Sequence, residues 1–265
     1  MHPRISLHQV AFIADPTAVF LDFCCSIGVQ HCTLAAPCMQ TKESRSSIKQ
    51  SPVKVGCINH LFAVHPNLES DDGTAAEKLL DSIEIASELG APAIYLLTGG
   101  RGTLSWDEGA MRFADLLAPC RDAARNAGIR LLVENSSALN ADIHMAHTLP
   151  DATRLAQIAG IGICAELHAC WTEADLHGNL ARAMPLTALV QVSDYVLGDR
   201  STPCRAVPGD GSIPLEAILR DVLDLGYSGL FDLELVGPRI AAEGAREACA
   251  RAAHYLSDLL DKLGA

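Results

Sequence analysis

The side chains of this chain that could do chemistry are polar groups placed late in apolar, strand-like runs. GLFDLELVGP (229–238) carries Asp232 and Glu234 in one phase ahead of Gly237 and Pro238. RLLVENSS carries Glu134, GICAELHACW carries Glu166 and His168, and ALVQVSDY carries Gln191 and Asp194. Short apolar runs bounded by turn residues read as buried strands. A carboxylate at the end of one is costly to bury unless it is paired or bound to a metal. Side chains alternate across a strand, so Glu134, Glu166, Gln191 and Glu234 converge if their faces point to one axis. Three carboxylates crowded together repel, and a hard divalent cation removes that repulsion. All-oxygen donors suit Mn2+ or Mg2+, with Co2+ or Zn2+ as further candidates. The competing account is four unrelated groups, each satisfied by local hydrogen bonds; four in register favour the site.

The elements that must position these groups alternate along the whole chain. Strands are expected at ISLHQVAF, HCTLAAPC, KVGCINHLFAV, PAIYLLTGGRG, IRLLVENSS, GICAELHACW, ALVQVSDYV and GLFDLELVG. Helices are expected between them. The first is opened by Asp15 with Pro16 at its first position. The segment 72–90 repeats apolar residues at helical spacing up to Gly90, and another helix runs from about Ser105 to Asn126. TKESRSSIKQS is polar and weakly patterned, so a short helix or a loop is expected there, and the last helix covers about 240–263. Eight strand–helix pairs without a linker or a composition break imply a single domain over 1–265, an α/β chain folded as a (β/α)8 TIM barrel. A doubly wound open sheet is the alternative. It is weaker because no GxGxxG follows the first strand.

Composition narrows the function classes. Hydrophobic residues at 49% allow a sizeable core, and a formal charge of -12 argues against nucleic acid or an anionic membrane as partner, because phosphate contacts need clustered cations. No apolar run approaches the ~20 residues of a membrane span, and the N-terminal residues lack the pattern of a signal peptide. The ten cysteines are scattered without a CxxC pair, which suits reduced thiols in a cytoplasmic protein. A small molecule is the expected partner, with a homo-oligomer left open.

VENSS, ICAELHACW, VQVSDY, VPGDGSIPLEAIL and GYSGLFDLELVGP together resemble the xylose-isomerase-like barrels of the sugar phosphate isomerase/epimerase family, well over about residues 90–238 and by pattern elsewhere. In that family the metal ligands are a Glu, an Asp, a His and a Glu on strands five to eight. The resemblance places them at Glu134, Glu166, Gln191 and Glu234. Two positions depart: Glu166 stands for the usual Asp, and Gln191 for the common His, its amide oxygen being a weaker ligand for a hard metal. The His that often follows strand six is Ala169 here, with His168 adjacent.

The arrangement suits proton transfer beside a carbonyl. A cation polarises the carbonyl and stabilises an enediolate, and Glu134 and Glu234 serve as catalytic base and acid. The expected activity is therefore that of a metal-dependent isomerase or epimerase on a sugar or polyol-like hydroxy-ketone. The alternatives are a lyase of the inosose or dehydroshikimate dehydratase type, an endonuclease IV-like phosphodiesterase, which the acidic charge disfavours, and a non-catalytic binding barrel. Candidate substrate-binding residues are His168, Trp171, Arg200 and Arg205, the two arginines as clamps for a carboxylate or phosphate. In VPGDGSIP, backbone amides could cradle phosphate, but a helix cap at Ser212 is the better account. Arg101, in TGGRG, is a weaker candidate for reaching a ligand.

Overall fold

The structure is a computed structural model that describes residues 1–265. Eight parallel strands close into a barrel in sequence order. They are β1 (Ile5–His8), β2 (His31–Ala35), β3 (Lys54–Leu61), β4 (Ala93–Leu97), β5 (Arg130–Glu134), β6 (Gly162–Glu166), β7 (Thr187–Val192) and β8 (Leu230–Leu233). The helices α1 (Thr17–Ser26), α2 (Lys42–Gln50), α3 (Thr74–Leu89), α4 (Trp106–Asn126) and α5 (Leu149–Ala159) follow the first five strands. The second half adds α6 (Leu167–Cys170), α7 (Leu176–Ala183), α8 (Leu215–Asp224), α9 (Pro238–Glu243) and α10 (Ala245–Leu263). This is the expected (β/α)8 barrel.

Its apolar residues divide into two packed regions. A cluster of 71 buried residues fills the layer between strands and helices. A second of six, Cys57, Ala93, Tyr95, Leu132, Cys164 and Leu189, fills the barrel interior. Burial of both strand faces explains the nearly continuous apolar runs, which a sheet open to water on one face would not need. All ten cysteines are unpaired, and most are buried as small core groups.

Several boundaries differ from the sequence reading, each for a local reason. The first strand stops at His8, because the His8 ring accepts from the Val10 amide at 2.9 Å and turns the chain into a 3-10 turn at Gln9–Phe12. The polar segment after the second strand is a helix, capped by the Thr41 hydroxyl accepting from Ser44 N. Pro16 sits at the N-cap of α1, one place earlier than expected. The last helix is two helices, because Gly244 at φ 99° leaves the helical region. Ser105 opens α4 with a full capping box to Glu108.

At the end of β4, Gly99 lets two loops touch. It has φ +91°, and a Cβ there would lie 1.8 Å from the Ala63 carbonyl oxygen. Arg101, two residues on, is exposed and donates to the Leu104 carbonyl, so it does not turn toward the strand ends.

Candidate active site at the C-terminal mouth of the barrel

Strands β5 and β6 end on Glu134 and Glu166, and Glu234 lies one residue past β8. One carboxylate oxygen from each lies within 4.8 Å of the others. The stagger of the barrel makes this possible. Glu134 pairs in register with Cys164, and Glu166 pairs with Gln191, which pairs with Asp232. Glu134 is 4% and Glu166 1% exposed.

Neighbouring side chains hold these ends in place. Asn135 spans from β5 to β6, donating to the Glu166 carbonyl and accepting from its amide, both at 2.9 Å. His144 accepts from Thr98 N at 3.0 Å on Nδ1, so its Nε2 carries the proton and donates to the Glu134 carbonyl at 2.8 Å. On the opposite wall, His8 accepts at Nδ1 from Val10 N, which leaves Nε2 to donate to Tyr95 Oη at 2.9 Å. Gln191 Nε2 donates to the same hydroxyl at 3.3 Å, and its Oε1 is buried with no partner. Asp232 lies deeper and accepts from Ser6 Oγ at 2.7 Å.

Arg205, from the loop after β7, enters among the carboxylates. Its Nη2 donates to Glu234 Oε2 at 2.8 Å, and its Nη1 lies 2.6 Å from Glu166 Oε2, an ion pair off the angle of a hydrogen bond. The guanidinium side chain is 12% exposed. Burial raises the Glu134 carboxyl well above the ordinary range, and the Glu234 and Glu166 charges add to the effect. Glu166 is pushed up to about 8 by burial, with Arg205 opposing. Burial also works against ionisation of Glu234, but the Arg205 guanidinium beside it prevails and holds this carboxyl below the ordinary value.

A family description, xylose isomerase-like TIM barrel, matches residues 35–255. The chain belongs to that family. No curated protein matches the sequence. Among solved structures, the IOLI protein with a binding zinc atom is 16% identical at a TM-score of 0.82, over 98% of this chain and 99% of that one. The 3-keto-D-glucoside 4-epimerase YcjR of E. coli is 17% identical at 0.76, over 95% and 99%. The probable 3-DHS dehydratase AsbF of Bacillus anthracis is 14% identical at 0.75, over 96% and 98%. At these identities the likeness is one of fold.

The donors of this xylose isomerase-like barrel fit a hard divalent cation. Three carboxylate oxygens within 4.8 Å of one another can share an ion with bonds of ~2.0–2.6 Å. The unpartnered Gln191 Oε1 stands in register beside Glu166 as a fourth oxygen. Glu134, Glu166, Gln191 and Glu234 would hold the ion.

The four candidate substrate-binding residues divide. Arg205 and His168 line a cavity of about 280 Å³ together with Glu166, Glu234, Ser136 and Ser137. His168 is not on a strand: β6 ends at Glu166, whose side chain accepts from His168 N at 2.8 Å and starts the short helix α6. Its Nε2 lies 3.8 Å from Cys204 Sγ, and burial, with Arg205 adding, lowers its pKa to about 4. Trp171 lies off this cavity, because α6 carries it away to pack at 6.2 Å against the Tyr195 ring. Arg200 is also off it, exposed and bonded to Tyr195 Oη, in a separate cleft with Arg239.

The loop VPGDGSIP is organised in neither of the ways its sequence suggested. Its amides at Gly209, Gly211 and Ile213, with that of Tyr195, donate to Asp194 at 2.8–3.0 Å. The buried Asp194 carboxylate therefore takes the place a phosphate would fill, and Ser212 makes no cap because α8 starts after Pro214. His8, Tyr95, Asn135 and His144 escaped the sequence reading. His8 alone carried a signal, since it ends a strand as the glutamates do.

Proposed function

We propose that this protein is a metal-dependent isomerase or epimerase that moves a proton at the carbon beside the carbonyl of a sugar or polyol-like hydroxy-ketone. The observation that carries this reading is the convergence of Glu134, Glu166 and Glu234 within 4.8 Å at the C-terminal mouth, where barrel enzymes keep their chemistry. A bound divalent cation, Mn2+ or Mg2+ before Co2+ or Zn2+, would polarise the substrate carbonyl. Glu134 and Glu234 take and return the carbon-bound proton. The cavity beside them suits a small molecule, with His168 and Arg205 as donors to substrate oxygens. The unpaired thiols suit a cytoplasmic setting, and no helix is long and apolar enough to cross a membrane.

A dehydratase is the second reading. It shares the first proton abstraction and differs only in losing a hydroxyl from the next carbon, and AsbF supports it as a probable dehydratase on the same fold. The test is NMR in D2O with Mn2+ or Mg2+ and a panel of ketoses, keto-polyols and cyclic hydroxy-ketones. Deuterium at the carbon beside the carbonyl is expected; loss of water would select the dehydratase. If no substrate in the panel exchanges a carbon-bound proton, the enzyme reading gives way to a binding barrel.

A further inference from the structure

We infer that the Arg205 guanidinium is a built-in competitor for the metal position, so that a divalent cation binds only by displacing it. The inference rests on the metal-dependent reading but concerns binding, not turnover.

The decisive detail is how the oxygens of Glu166 are used. Oε1 is committed to the amide of His168 at 2.8 Å, where it starts α6. Oε2 is the oxygen that Arg205 Nη1 approaches at 2.6 Å. Both oxygens of Glu166 are thus in contact with a donor, and a metal that uses this residue must either take Oε2 from the arginine or share Oε1 with the helix start. Glu234 is engaged through one oxygen, Oε2 accepting from Arg205 Nη2 at 2.8 Å. A divalent ion needs bonds of ~2.0–2.6 Å to these oxygens. A guanidinium in contact with the same atoms would crowd it with like charge at low dielectric.

Arg205 is also built to leave. Its backbone is anchored by N–H to the Val236 carbonyl at 3.3 Å, so the side chain can turn without moving the loop. Its Nε is buried with no acceptor, and the remaining contact, Nη1 to Ser193 Oγ, is long at 3.4 Å. The adjoining cavity offers hydroxyls and an amide at Ser136, Ser137, Asn140, Ser201 and Thr202. There the displaced guanidinium would face substrate. One arginine thus neutralises the acids before loading and becomes an oxyanion donor after it.

The test is Mn2+ binding by the full-length protein, read as loss of the free-ion EPR signal. Arg205→Gln is expected to bind Mn2+ at least ~10-fold more tightly than wild type, and Arg205→Lys, which keeps charge but loses the two-point contact, to fall between. Mn2+ should also raise the melting temperature of Arg205→Gln more than that of wild type. A second readout needs no variant: labelling of Arg205 by phenylglyoxal, followed by mass spectrometry, should increase when Mn2+ is added. Equal or weaker binding by both variants, or labelling unchanged at saturating Mn2+, overturns the inference and leaves the metal reading intact. If neither wild type nor variants bind Mn2+, the metal reading falls with it, while deuterium exchange still decides whether the barrel moves protons.

Discussion

The two halves of the barrel present opposite chemistry at the same mouth. Strands β5–β8 bring three carboxyls and one amide, Glu134, Glu166, Glu234 and Gln191. Strands β1–β4 bring His8 and Tyr95, while His60 of β3 faces outward to Ser82 of α3 at 3.1 Å. The acids need a cation, and in this structure they draw Arg205 from their own side of the barrel. His8 and Tyr95 satisfy each other, and this pair needs no cation. One half therefore holds the clustered charge, and the other forms an uncharged wall beside it, joined through the contact of Gln191 to Tyr95.

Removing reactive charge should have the largest effect. Glu134→Gln or Glu234→Gln should each lower solvent-proton exchange by more than ~100-fold, the low end of a positioned acid or base. The double variant should cost little beyond the worse single, since the two act as a unit. If either single variant exchanges at the wild-type rate, the reactive charge lies elsewhere. Tyr95→Phe breaks the join instead. It leaves the His8 ring and the Gln191 amide without their common partner, for roughly 1–3 kcal/mol of stability in urea unfolding. An unchanged midpoint would mean that the two halves are not coupled there.

One group from each half, His60 and Glu166, should titrate in opposite directions. Burial lowers the His60 pKa to about 4 from the ordinary 6.5. Between those values the unfolded chain binds the proton and the folded chain does not, so stability falls as pH drops from 6.5 to 4. Glu166, raised to about 8 from 4.5, does the reverse: the folded chain holds the proton, and stability is lost as pH rises through that window. His60→Gln should flatten the acid side of the stability profile by on the order of 2 kcal/mol, and Glu166→Gln should flatten the alkaline side. Both slopes persisting in the variants would assign them to other groups. The smallest effect belongs to Arg200→Ala, whose side chain lies off the carboxylate cavity. Its stability should stay within about 0.5 kcal/mol of wild type, and its exchange rate should not change. A clear loss of exchange would place Arg200 against the substrate after all.

The sequence by itself determined the order of elements and the strand ends on which the acids stand. Alternating apolar runs and amphipathic helices admit few closed arrangements other than the barrel, and a carboxylate late in a buried strand is visible as an anomaly in its own run. Glu134, Glu166 and Glu234 were legible for that reason. Partnership was decided only by tertiary structure, because it joins residues far apart in the chain. Arg205 reads from its neighbours as one of two loop cations, yet folding carries it onto Glu166 and Glu234 and leaves Arg200 outside. Nothing near His144 or Asn135 shows that they brace the ends of β5 and β6. Asp194 reads as one more strand-end acid, and only the folded loop shows that it takes the four amides a phosphate would otherwise use. Periodicity is a property of neighbours along the chain and survives without a fold. The pairing of charges depends on distances that closure of the barrel alone sets.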